Sequence, residues 1–191
     1  MNTILQLLVS GIMLGGIYAV MSIGLTLIFG VLKIVNFAHG EFLMLAMYAG
    51  WAIVSATGMT TYTAMAVVTP LLFCFGLLVY LLIVRPGIEK PHLVVVFATM
   101  GLSIAMQNLA LVAMTADLRD VAPLFGGTPI KFGPLYFRVE LLLGFLISIA
   151  ITLALMMFVK RTYIGKAIRA TVQDRDAAML MGINEIGRAH V

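Results

Sequence analysis

Three short stretches of this 191-residue chain hold residue types that could act chemically. Asn36-Phe37-Ala38-His39-Gly40-Glu41 gathers an amide, an imidazole, a carboxylate and a backbone-permissive glycine within six positions. Gln107 and Asn108 sit inside an apolar run, with Ser103 one helical turn before Gln107. The third stretch, Asp174 to Asn184, places two aspartates ahead of Ala177, Ala178, Leu180, Met181 and Gly182. His39-Gly40-Glu41 matches one half of a zinc deaminase site, but the paired cysteines of the other half cannot exist in a chain whose only cysteine is Cys74. His92 and His190 stand alone, so neither a metal site nor a cofactor is expected. Phosphate-loop, serine-elbow and zinc-protease motifs are missing. The chemistry left is recognition: hydrogen bonds between helices, the lining of a polar path, or the docking of a partner.

The elements that must position these residues are written in the hydropathy. Hydrophobic residues make up 62% of the chain and charged ones 10%, where a soluble domain has roughly 45–50% and about 25%. That balance excludes a soluble enzyme, a disordered tail and a nucleic-acid-binding module. Residues 1–32, 42–84, 93–116 and 141–159 carry no Asp, Glu, Lys or Arg. Runs of that length suit transmembrane helices, each needing about 20 residues to cross a hydrocarbon core roughly 30 Å thick. The period-2 alternation of a membrane barrel is absent. An all-α, polytopic transmembrane helical bundle follows, with about five spans near 8–30, 42–57, 63–84, 93–116 and 139–159 in one membrane domain, 1–184. Thr57, Gly58, Thr60, Thr61 and Thr63 divide the longest run in two. The first span has no basic n-region and no small-residue cleavage site, so it is not read as a signal peptide. Gly11, Gly15, Gly16 and Gly24 mark a small-residue face suited to close helix packing.

Charge sets the expected orientation. Segments 33–41, 85–92 and 160–184 hold eight Lys and Arg, whereas the alternate segments hold three, Arg119, Lys131 and Arg138. The positive-inside rule then puts the N-terminus outside and 160–184 in the cytoplasm. The outer loop 117–138, with Pro123, Pro129, Pro134, Gly126, Gly127 and Gly133, reads as a connection or as a contact for an extracytoplasmic partner. Two readings of Asn36, His39, Gly40 and Glu41 stand: a polar junction at the membrane surface, or a broken helix lining a cavity. Gln107 and Asn108 read as interhelical hydrogen-bonding groups or as substrate contacts. Asp174 and Asp176 suit a helix start and Gly182 a helix end. Ala177, Leu180 and Met181 then share an apolar face fit for a groove, and the basic lead-in Lys160, Arg161, Lys166 and Arg169 alternatively suits an interfacial helix on anionic lipid.

At this point a family resemblance emerges. Asp176-Ala177-Ala178 followed by Gly182 resembles the cytoplasmic docking loop of ABC-importer permeases, with Asp in place of the usual Glu, and Gly182-Ile183-Asn184 resembles the ending used by branched-chain amino-acid permeases. Gly16-Ile17-Tyr18-Ala19, Gly24-Leu25-Thr26-Leu27, Gly30-Val31-Leu32 and Asn36 to Glu41 are similar to the first span and following motif of that family. The resemblance implies a multi-pass subunit of the bacterial inner membrane that is not itself an enzyme. It would move Leu, Ile and Val together with a second related permease, two cytoplasmic ATP-binding subunits and a periplasmic substrate-binding protein. Asp176, Ala177, Ala178, Gly182, Ile183 and Asn184 would form the segment coupled to the ATPase. Permeases for urea or short amides share the pattern and are the alternative. Relatives continue with further spans, and Ile186-Gly187-Arg188-Ala189-His190-Val191 is what a common sequencing adapter encodes in frame. Residues 185–191 are therefore expected to be a non-native tail on a fragment.

Overall fold

The computed structural model describes residues 2–88, 90–115, 117–121, 129–133 and 135–182. Among the described residues five helices are long and apolar enough to cross a membrane: α1 (Asn2–Leu32), α2 (His39–Thr57), α3 (Thr61–Val79, its span continuing to Gly87), α4 (His92–Met114) and α5 (Val139–Arg161). A short hairpin, β1 (Ile130–Phe132) and β2 (Leu135–Phe137), precedes α5, and α6 (Tyr163–Gln173) and α7 (Arg175–Leu180) follow it. The fold is the expected polytopic, helical one, with the hairpin as an addition. Large apolar side chains stand bare on the spans, among them Phe73, Leu82, Phe97 and Val112. Such a surface is stable against lipid or other helices and not against water.

The chain divides into two compact units, Met1–Lys33 with Phe125–Val191, and Ile34–Leu124. In the first, α1 packs on α5 through a reciprocal exchange. A side chain at Gly16 would collide with the Phe145 ring, and one at Gly144 would lie 3.1 Å from Ile17 Cδ1. Each helix thus offers a glycine to the other's bulky neighbour, which lets the backbones approach. Gly11 and Gly15, expected to pack in the same way, have open space around them. The hairpin aligns Ile130 with Phe137 and Phe132 with Leu135, and Gly133 in its two-residue turn takes φ +59°. Tyr136 turns its backbone away from β1 and is held by Gln6 of α1, whose amide donates to Tyr136 O (2.6 Å) and accepts from Tyr136 N (2.9 Å).

In the second unit, α2 and α3 form an antiparallel pair. Gly58 ends α2 with a left-handed turn, φ +69°, its N–H on Val54 O, and Thr60 caps α3 by accepting from Thr63 N. The polar interruption seen between the runs is therefore a two-cap corner. Phe42 and Phe75 pack with ring centroids 5.4 Å apart. α3 does not stop at Val79 but unwinds through a π-turn, Tyr80–Val84, and a 3-10 turn, Arg85–Gly87, where a side chain on Gly87 would strike Val95 of α4. Val95 and Thr99 of α4 are fully buried.

One helix is longer than a crossing needs, and another starts outside the stretches that hydropathy marks. α1 begins at Asn2, so its 31 residues extend roughly 46 Å, well beyond a hydrocarbon core of about 30 Å. α2 begins at His39, which places His39 and Glu41 in its first turn. A carboxylate there interacts favourably with the positive helix end, so the helix extends past the point where apolar residues cease.

Candidate functional site

The Asn36–Glu41 motif makes the start of α2. Asn36 Oδ1 accepts from Ala38 N–H at 3.0 Å and Asn36 O from His39 N–H at 3.2 Å, closing a side-chain-stabilised turn. Ala38, in the N-cap position, is wholly buried and supplies no side-chain cap. The turn is tied to α4 instead: Phe37 N–H donates to Thr99 Oγ1 at 3.3 Å. One helical turn on, Glu41 Oε1 accepts from Ser103 Oγ at 2.8 Å and from Gln107 Nε2 at 2.6 Å. Thr99, Ser103 and Gln107 recur every four residues, so they form one stripe along α4. The stripe gives the motif's backbone and carboxylate their partners in an apolar setting, where an unmet polar group costs most.

Of the residues singled out from sequence, Asn36, Glu41 and Gln107 thus come together, half-buried Glu41 at the centre. His39 is half-buried in the same first turn, and Gly40 is exposed, with open space where a side chain would stand. Asn108 turns the other way and donates to Ile104 O of its own helix at 2.7 Å. Among the described residues no group of three His, Cys, Asp or Glu could hold a metal ion. Thr99 and Gln6 were missed by sequence reasoning. Thr99 could have been found by extending the Ser103–Gln107 spacing back one turn, whereas nothing near Gln6 points to Tyr136.

The segment that follows α5 is built from joints. Thr162 is the one residue between α5 and α6, and its Oγ1 accepts from Gly165 N at 3.0 Å. Gly165 is buried so tightly on Phe158 and Val159 backbone that no side chain fits there. Asp174 both ends α6 and caps α7, accepting from Ala177 N at 3.0 Å. Within α7, Asp176 lies in the first turn, Ala177 is exposed and Ala178 is buried. Gly182 takes φ +79° after the last turn, donating to Met179 O at 3.0 Å. Leu180 is 88% and Met181 84% exposed, an apolar pair that projects from the helix end. Ile183, Asn184 and the tail 185–191 lie outside the described residues.

Residues 7–187 match the family model described as branched-chain amino acid transport system / permease component. The chain is 30% identical to the high-affinity branched-chain amino acid transport system permease protein LivH of Salmonella typhimurium and to LivH of Escherichia coli, and 26% identical to BraD of Pseudomonas aeruginosa. Each alignment covers 94% of this chain and 62% of the relative, so the chain spans under two thirds of their length. No solved structure matches it. A family match over nearly the whole chain, on five apolar helices of membrane-spanning length, identifies this multi-pass membrane protein as a member of the branched-chain amino acid transport system permease family.

Proposed function

We propose that the chain belongs to the permease subunit of a binding-protein-dependent ABC importer that carries Leu, Ile and Val across the bacterial inner membrane. The carrying observation is the family match over residues 7–187. In this reading a second, related permease completes the path, two cytoplasmic ATP-binding subunits hydrolyse ATP, and a periplasmic protein delivers substrate; this chain catalyses no reaction. The N-terminus faces out and α6 and α7 lie in the cytoplasm, as the distribution of basic residues favours. α7, with its bare Leu180 and Met181, sits in a groove of an ATP-binding subunit in the manner of an amphipathic helix. Closure of the ATPase pair moves α7 and, through Asp174, α6, and the spans alternate access between the two sides. The Glu41–Ser103–Gln107 cluster fixes the start of α2 against α4 during that movement.

The test is uptake of labelled leucine and labelled urea by cells carrying the full-length operon, with and without a deletion of this gene. Loss of leucine uptake with urea uptake intact is the expected result. Leucine uptake that survives the deletion removes the proposal, and loss of urea uptake alone moves the substrate to the amide class.

A further inference from the structure

Beneath the segment 117–121, between α2 and α3 in the second unit, lies a pocket of about 770 Å3. Its walls are Met44, Met47 and Trp51 of α2 with Met65, Val68 and Leu72 of α3. Three methionines in one wall set give a soft, adaptable lining, suited to aliphatic groups that differ by a methyl or a branch point. The mouth is charged with both signs, by Asp117, Arg119 and Asp120. Arg119 lies over the Trp51 ring at 4.7 Å and reaches Met114 O at 3.2 Å, Thr115 Oγ1 at 3.4 Å and Asp117 Oδ2 at 4.0 Å. All its polar contacts among the described residues run through Nη2, so a fork of further N–H donors remains for a carboxylate. The Asp117 side chain is 75% exposed, and among the described residues Asp120 accepts from Val121 N–H. An Arg and two carboxylates at the rim of a methionine-lined hollow match one ligand chemistry in both halves: a zwitterionic headgroup outside and a short aliphatic chain inside.

We propose that this pocket receives the transported α-amino acid on its outward side, an assignment that rests on the transport reading given above. The substrate carboxylate pairs with Arg119 and its ammonium with Asp117 and Asp120. Its side chain enters among Met44, Met47 and Met65. The hollow as a whole is several times larger than a leucine, so the side chain seats against the methionine wall at one end, where bulk added at Met47 meets it, and water fills the rest without tight binding. A site on a conduction path requires that, because tight binding would stop release.

Transport is measured with the complete full-length transporter and its binding protein at saturating leucine or valine. Met47→Trp, which fills the hollow from one wall, lowers leucine transport by at least about fivefold while valine, one carbon smaller, falls less than about twofold. Arg119→Gln lowers both by about tenfold or more, as removal of a charge-assisted bidentate contact does. The leucine-to-valine ratio does not depend on how much transporter reaches the membrane, so a merely destabilised protein leaves it unchanged. Met65→Phe replaces Met47→Trp, read in the same way, should that variant not insert. An unchanged ratio, or a wild-type rate in Arg119→Gln, overturns the site and marks the hollow as a seam for another helix or lipid. A wild-type transporter that moves neither amino acid overturns the transport reading itself, and the two failures are distinguished by that control.

Discussion

Glu41 takes two donors on a single oxygen, the Ser103 hydroxyl and the Gln107 amide, at the start of a membrane helix. Hydrogen bonds between membrane helices contribute modestly, because the separated helices also find partners. Glu41→Ala and Gln107→Ala should therefore show a coupling of about 0.5–1.5 kcal/mol in a double-mutant cycle on thermal unfolding of the detergent-purified transporter. Additive effects would mean that the 2.6 Å contact is not made in the membrane. Asp174 has a more local role, and its replacement by Ala should cost about 1 kcal/mol of α7 stability. Transport is expected to fall several-fold at unchanged membrane level, and Asp174→Asn, which keeps the capping oxygen, should restore most of it. At this scale the sequence was readable where the interaction is local: Asp174 and Gly182 were identified as helix start and stop because a cap involves neighbours along the chain. Gln6 with Tyr136 was not, since 130 residues separate them and an amide carries no hint of its distant partner.

Helices, rather than single residues, carry the packing. The exchange of Gly16 for Phe145 and Gly144 for Ile17 fixes α1 on α5 at one height. Gly16→Leu should drive these helices apart and lower the amount of folded transporter several-fold on a size-exclusion profile. Phe145→Ala added to it should recover part of that loss by vacating the space, and no recovery would place the pairing elsewhere. For α7, Leu180→Asp should leave the protein in the membrane and abolish substrate-stimulated ATP hydrolysis by the assembled complex, because a charge replaces the bare apolar contact. Unimpaired stimulation would remove α7 from the contact. Hydropathy located the five spans because lipid imposes one requirement on every helix surface, yet the start of α2 lies three residues before the stretch that it marked. His39 begins α2 ahead of the apolar run, where the Glu41 carboxylate suits the positive helix end and apolarity has no say. The glycine pattern was only half informative: it marked Gly16 with Gly11 and Gly15, and which of the three meets a neighbour depends on where Phe145 lies.

For the whole molecule the orientation is the first thing to establish. With Cys74 replaced by Ala, a cysteine at Leu118 should react with a membrane-impermeant maleimide in intact cells, and one at Tyr163 only after permeabilisation. The reverse pattern would invert every span. Both positions are open to reagent, Leu118 fully and Tyr163 at 78% exposure. Charge balance made this expectation legible because it is a count over loops, whereas the hollow under Arg119 was not, since its wall comes from two helices and a loop that meet only on folding. A mechanical consequence lies in the two single-residue joints, Thr162 and Asp174. Three rigid rods in series share only four soft backbone torsions, and the Thr162 joint is already wedged by Gly165 against the end of α5. The tail is therefore built as a crank: a displacement of the last rod passes through α6 to α5, and to α1 where Val172 faces Gly30, with Asp174 as the softer elbow.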